Sequence, residues 1–269
     1  MASIANLHVY PVKSCRGIDL QRSRVTATGL EWDRRWMIVD GAGHFVTQRE
    51  NARLAAIATA IGGCLRLTAD GLPALIVDPE HGGPERPVRI WSETVTGVDA
   101  GKEASDWLLA ALGAPLHLVR VVASKLRDAD SEYAGPGRHP VTFTDGYPIL
   151  MISRASLEDL NRHLPSPLPM NRFRPNIVID GVPAYAEDAR TEFRFGAVTL
   201  RGVKRCTRCS ITTTDQQTCA RDLDQEPLRT LRTYRYDRAL RGVVFGQNCV
   251  IAAGVGETLI AGTEFTIDG

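Results

Sequence analysis

The 269-residue chain is cut into many short β-forming runs by 24 glycines and 15 prolines. Turn signals at this density forbid a long-helix architecture and favour small sheets and barrels. ANLHVYPV reads as a strand, RWMIVD and HFVTQ as a hairpin across GAG, and CLRLTA and PALIVD as a hairpin across DGL. One early segment changes period: in GKEASDWLLAALG, Ala104, Trp107, Leu108 and Ala111 fall on one helical face, and Gly113 suits its end. After the strand-like LHLVRVVA, the polar stretch SKLRDADSEYAGPGRHP reads as a mobile loop or linker, which sets a boundary near residue 122.

Beyond it, YPILMIS reads as a strand, residues 156–164 as a helix capped by Ser153, and PSPLP as a break. PNIVID, FGAVTLRGV, RCSITTT, GVVFGQNCVIAA and EFTID then read as strands of an irregular closed sheet, and PLRTLRTY alone as helix. The expectation is an α+β, β-dominated protein of two segments, 1–122 and 123–269. Charge is nearly balanced, 32 Lys and Arg against 31 Asp and Glu, so there is no broad basic field of the kind that binds nucleic acid. No apolar run reaches the roughly 20 residues of a membrane span, and MASIANLHVYPVKSC lacks the pattern of a secretory leader. Six cysteines, unevenly placed, do not make a disulfide scaffold. A soluble chain in a reducing cytoplasm, with neither nucleic acid nor membrane as partner, is expected.

The most informative stretch is VKRCTRCSITTTDQQT, residues 203–218. Cys206 and Cys209 lack the second Cys/His pair of a structural zinc site, and the β-forming SITTT argues against a redox pair at a helix N-terminus. Two readings stay open: inert reduced thiols, or a thiolate favoured by Lys204, Arg205 and Arg208 and able to ligate a soft metal. Four other clusters carry polar equipment. Lys13 and Ser14 follow a strand in YPVKSCRG, Arg34 and Arg35 lie between tryptophans in WDRRW, and Arg174 and Asn176 flank Pro175. A run of arginines (229, 232, 235, 238, 241) reads as solvated surface or as a dock for an acidic partner. Each cluster has a structural explanation; together with one thiolate they suit a phosphate-bearing organometallic cofactor.

YPVKSCRG, DRRW, VTQRENARL, SRASLEDLN, FRPNIVI, YAED, CTRCSITTTDQQT and FGQN stand in the order found in MOSC-domain proteins, and nearly the whole chain resembles the amidoxime-reducing proteins of that family. The resemblance implies an N-terminal MOSC β-barrel segment packed on a C-terminal MOSC β-barrel domain, a molybdopterin-type molybdenum cofactor (Moco) between them, and reduction of N-hydroxylated compounds, a detoxifying reaction. It implies Cys209 as metal ligand and catalytic residue, and Lys13, Ser14, Arg34, Arg174, Asn176, Thr207 and Arg208 as cofactor contacts. Cys206 becomes a supporting residue. The chain departs from the family at Gly146 and Tyr147, where a Thr-Ser pair is usual, at Cys219, where glycine is usual, and at Arg190, where tryptophan is common. With no spare four-cysteine cluster for an iron–sulfur centre, electrons are expected from a separate ferredoxin, flavoprotein or cytochrome. The competing expectation is a non-catalytic carrier of molybdenum cofactor or sulfur. Asp215 is weighed as a proton relay against a turn-stabilising role, and the turn is favoured.

Overall fold

The computed structural model describes every residue except His81, Arg190 and Gly269, so the departure at Arg190 lies outside the described residues. The chain is β-dominated with four α-helices among the described residues, an α+β fold as expected. Its larger sheet has nine strands. The order is Ile18–Leu20, Ser3–Val9, Ile177–Asp180, Ile149–Ser153, Gly242–Ala253, Val198–Thr207, Glu192–Phe195 and Thr266–Asp268, with Tyr236–Asp237 paired to Gly242–Ala253 off this path.

The one parallel pairing described within this sheet joins Ile149–Ser153 to Ile177–Asp180. Parallel neighbours need a crossover, and the helix Arg154–His163 supplies it. That helix begins two residues earlier than expected. Ser153 is nevertheless its cap, its Oγ accepting from the Ser156 N–H at 3.0 Å. The first strand of the chain belongs to the same sheet because Ile4, Leu7 and Val9 face one side and pack with Met151, Ile177 and Phe193.

A second sheet of Trp36–Val39, His117–Val121, Glu93–Asp99 and Glu85–Ile90 and a meander of Ala58–Ile61, Leu65–Thr68 and Leu75–Val77 enclose another core. The helix Lys102–Leu112 closes it with the expected face of Ala104, Trp107, Leu108 and Ala111, and Gly113 ends it in the left-handed conformation, φ 74°. Among the described residues no helix is long and apolar enough to cross a membrane.

Three local expectations are corrected. Trp36–Val39 pairs with His117–Val121 and meets HFVTQ only through the single bridge Val39–Phe45, because Thr47 and Gln48 turn inward. Residues 124–140 are no featureless linker: Asp130 caps a short helix, Ser131–Ala134, by accepting from Glu132 N–H at 3.0 Å, and Arg127–Asp128 pairs with Pro140–Val141. RCSITTT, residues 208–214, is not a strand: the strand before it ends at Thr207, and Ser210–Thr213 forms a 3-10 turn. There the hydroxyls of Thr212 and Thr213 donate to the carbonyls of Cys209 and Ser210 at 2.9 and 2.8 Å, which satisfies them locally and competes with a ladder.

Opposite the end of that strand, Gly246 holds φ +84° in mid-strand, where a Cβ would come within 3.0 Å of the Met151 carbonyl. The register slips alongside, between Arg205 and Thr207, and the chain leaves the sheet just beyond, after Thr207 pairs with Val244. Because Leu7 is fully buried on the strand that leads to Lys13, Leu7→Ala is expected to cost about 2–5 kcal/mol, read as a lowered midpoint in urea unfolding.

Candidate functional site

Where the strand Ser3–Val9 ends, the strand Val198–Thr207 stops and the FRPN turn begins, one cleft of about 760 Å³ opens. Lys13, Ser14, Arg34, Arg174, Asn176, Thr207, Arg208 and Cys209 all line it. Residues separated by nearly 200 positions are thus brought to one place by the sheet order. Ser14, Arg34 and Arg174 are non-glycine residues at φ 68°, 48° and 56°. Backbone held in this region costs of order 1–3 kcal/mol per residue and clusters at ligand sites.

The cations of the cleft are unequally partnered. Lys13 Nζ donates to Asp145 Oδ1 at 2.6 Å and to the Phe143 carbonyl at 2.9 Å. Burial lowers the Lys13 pKa, and Asp145 opposes this. Desolvation raises the Asp145 carboxyl, but the Lys13 ammonium, with Arg49 and Arg34 beyond, outweighs it and holds the group below the usual carboxylate range. Arg34 grips both oxygens of buried Asp33, at 2.6 and 2.8 Å, which bears out the salt-bridge reading of DRRW, and it also lines the cleft. Arg208 donates to the Cys206 sulfur at 3.0 Å and to the Phe173 carbonyl at 2.7 Å.

Arg174 differs: it is 8% exposed and donates through Nη1 to Gln216 at 3.3 Å, while among the described residues it has no carboxylate partner and its Nη2 finds no acceptor. Burial and then the neighbouring Arg34 lower its pKa to about 10, with Tyr10 opposing, so it remains a cation at neutral pH. Tyr10 lies under both guanidiniums, 4.2 Å from its ring centre to each, and burial raises its phenol to about 12 against the pull of Arg174. Asn176 walls the cleft but spends its amide on the His8 carbonyl and the Leu150 N–H, tying the first strand to the second half of the chain.

The surroundings of the thiols correct the sequence reading. Arg205 turns to Asp237 at 2.5 Å, and Lys204 lies 3.9 Å over the Tyr133 ring, so neither is partnered with Cys209. The cation that reaches the Cys209 sulfur is Arg49, whose Nη2 is 3.5 Å away. It stands in VTQRENARL, a motif that carries the family resemblance but from which no site residue was expected. Burial raises the Cys206 thiol pKa, with Arg208 opposing.

Also missed was the clamp behind the cleft, where Gln48 and Gln216 exchange amide hydrogen bonds at 3.0 and 2.9 Å and Gln48 donates to the Ser14 carbonyl at 2.7 Å. Gly146 and Tyr147 line the cleft despite their departure from the family pattern. Asp215 takes the turn role, accepting from the Gln217 and Thr218 N–H groups and pairing with Arg172 at 3.0 Å. In the arginine run, Arg229 and Arg235 are ion-paired to Asp224 and Asp188, while Arg232, Arg238 and Arg241 are exposed.

A wider cleft of about 1370 Å³ adjoins the first and shares residues 206–209 with it; Arg49, Trp91, Glu93 and Lys204 line its other walls. The arrangement places two half-buried sulfurs, Cys206 and Cys209, between a cation-rich recess and an open groove. This pair of clefts gathers cations and thiols from both halves of the chain on one concave surface of a mainly antiparallel β scaffold. Residues 1–115 match the MOSC N-terminal beta barrel domain and residues 138–264 the MOSC domain, and the chain belongs to the MOSC-domain family of the amidoxime-reducing components.

It is 35% identical over 265 residues to mitochondrial amidoxime-reducing component 1 of Mus musculus, covering 92% of this chain and 77% of that one. Identity to component 1 of Homo sapiens is 34% over 268 residues, covering 93% and 79%. Component 2 of Bos taurus is 31% identical over 245 residues, covering 87% and 73%.

Two outcomes follow. Asp145 titrates below its ordinary value of 3.8 in the folded chain, so its contribution to stability is present above that pH and is lost as pH falls from there toward the lower folded value. Asp145→Asn should flatten this acid limb in urea titrations run at successive pH values. Cys219 occupies φ +60°, a left-handed conformation that glycine adopts without a Cβ clash; Cys219→Gly should stabilise by up to about 1 kcal/mol, seen as a raised Tm.

Proposed function

We propose that this chain is a molybdenum-cofactor-dependent oxidoreductase that reduces N-hydroxylated compounds such as amidoximes, hydroxamates and N-hydroxylated base analogues to amidines or amines. The observation that carries the reading is the recess lined by four cations, Lys13, Arg34, Arg174 and Arg208, together with Cys209, in which Lys13 and Arg34 are paired to the carboxylates Asp145 and Asp33. The unsatisfied Nη2 of buried Arg174 fits an anionic group such as phosphate, because a desolvated guanidinium lacking an acceptor is costly. Among the described residues no three His, Cys, Asp or Glu side chains converge on a metal position. A metal on Cys209 therefore brings its other ligands with it, as a molybdopterin does.

In this reading Cys209 is the metal ligand and the catalytic residue. Arg174 and Arg208 face the phosphate, Lys13 and Arg34 are held in place by their carboxylates and line the pterin side, and Ser14, Asn176 and Thr207 complete the wall. When bound, the cofactor supplies the two electrons that break the N–O bond. The wider cleft receives the substrate, where half-exposed Trp91 offers a flat apolar face to an aryl amidoxime.

Reduction of N–OH to N–H consumes two electrons and two protons and releases water, and we assign the electrons to a separate donor of ferredoxin, flavoprotein or cytochrome type. We divide the chain into an N-terminal MOSC β-barrel domain, 1–122, and a MOSC domain, 123–269. All six cysteines are free thiols, which suits a reducing compartment, and we place the protein in the cytoplasm although the relatives above are named as mitochondrial.

Protein made in a molybdenum-replete host and given an artificial electron donor should convert benzamidoxime to benzamidine. Molybdenum bound without amidine formation would instead favour a carrier of cofactor or sulfur. Cys209→Ala should lower turnover by more than about 100-fold, beyond the 10–100-fold typical of losing an outer-shell partner, and full metal content and activity in that variant would refute the ligand assignment. Arg174→Met, which removes a charge-assisted hydrogen bond, should weaken cofactor retention by about 10–100-fold, measured as metal per protein after dialysis.

A further inference from the structure

We propose that Arg49 is the positioning residue of the Cys209 sulfur, and that through it the protein sets how readily a metal on that sulfur is reduced; the proposal rests on the molybdenum reading above. Arg49 Nη2 lies 3.5 Å from the sulfur, within reach of an N–H···S hydrogen bond. The guanidinium is fixed from two further sides: it lies 4.6 Å from the centre of the Trp91 ring, and its Nη1 donates to Thr47 Oγ1 at 3.3 Å. Trp91 is itself held by an edge contact with Phe45 at 5.1 Å between ring centres.

The backbone that carries Arg49 is equally constrained. Thr47 is tied to Glu50 through both N–H and hydroxyl, at 2.9 and 2.6 Å, Gln48 is locked to Gln216 and Ser14, and Arg221 donates to the Gln48 and Arg49 carbonyls. No ion pair ties Arg49 to a carboxylate among the described residues, so its charge is not cancelled in contact. The other nearby guanidinium, Arg208, is committed to the Cys206 sulfur and the Phe173 carbonyl.

A hydrogen bond and a positive charge at a ligand sulfur stabilise the more electron-rich state of the metal, which raises its reduction potential. Arg49 also stands where the cation-rich recess meets the open groove, on the groove wall beside Cys209. The N-terminal half thus contributes to the reacting centre through one side chain, although the proposed ligand is in the C-terminal half.

The test is an EPR-monitored redox titration of the molybdenum-loaded protein, with metal content per chain measured in parallel. Arg49→Met should move the molybdenum midpoint to lower potential at unchanged metal content. Arg49→Lys keeps the charge without the fixed fork and should fall between the two. Trp91→Ala removes the platform and should shift the midpoint in the same direction by less. A midpoint in Arg49→Met equal to that of the wild type overturns the proposal. If Arg49→Met takes up no metal, the Trp91→Ala midpoint decides, and no shift there overturns it. Wild-type protein that carries no molybdenum overturns the cofactor reading and this proposal with it, whereas wild-type turnover with an unmoved Arg49→Met midpoint overturns this proposal alone.

Discussion

An excess of positive charge that the protein does not itself neutralise governs the architecture of the cleft. Four cations converge on one recess, two have carboxylates, and Arg174 sits 92% buried with part of its guanidinium unsatisfied, being only 8% exposed. Desolvating a guanidinium without an acceptor is a standing cost, and it persists only where the surrounding structure holds it or a ligand relieves it. Both conditions meet here. Tyr10 supports Arg174 and Arg34 from one side, Gln216 holds one amino group, and the other is buried without an acceptor.

The fold supplies that rigidity by crossing the two halves of the chain. The first strand enters the sheet of the second half, and Asn176 and the Gln48–Gln216 exchange tie segments on either side of the cleft. The residues that line the recess leave their strands through left-handed backbone at Ser14, Arg34 and Arg174. Such conformations are unfavourable singly, so their concentration at one wall is a mark of a site rather than of a barrel core.

Much of this was legible in the sequence, because the cleft residues stand in short polar motifs at the ends of apolar runs, as Lys13 and Ser14 do after ANLHVYPV. The helix 101–113 was legible because its period changes abruptly. Which cation serves which sulfur was not. The strand register slips between Arg205 and Thr207 and the strand ends before Cys209, so face alternation does not carry across; Arg205 pairs with Asp237, and Cys209 is met by a residue 160 positions distant, Arg49. The 3-10 turn at Ser210–Thr213 was hidden for a related reason: threonine is β-forming by shape, but its hydroxyl can bond back to a carbonyl three residues earlier, as Thr212 does. The small helix at Ser131–Ala134 escaped notice because it is held by distant partners, among them Arg201, which donates to the Ala134 carbonyl at 2.5 Å.

The central claim is that Cys209 and the cations around it seat one metal-bearing anionic group. Anomalous diffraction at the molybdenum edge, on crystals of protein purified from a molybdenum-replete host, tests it most directly. The account predicts one anomalous peak at bonding distance from the Cys209 sulfur, with phosphate density against the free edge of Arg174. A peak elsewhere in the molecule, or an ordered cleft with no peak at all, would contradict it.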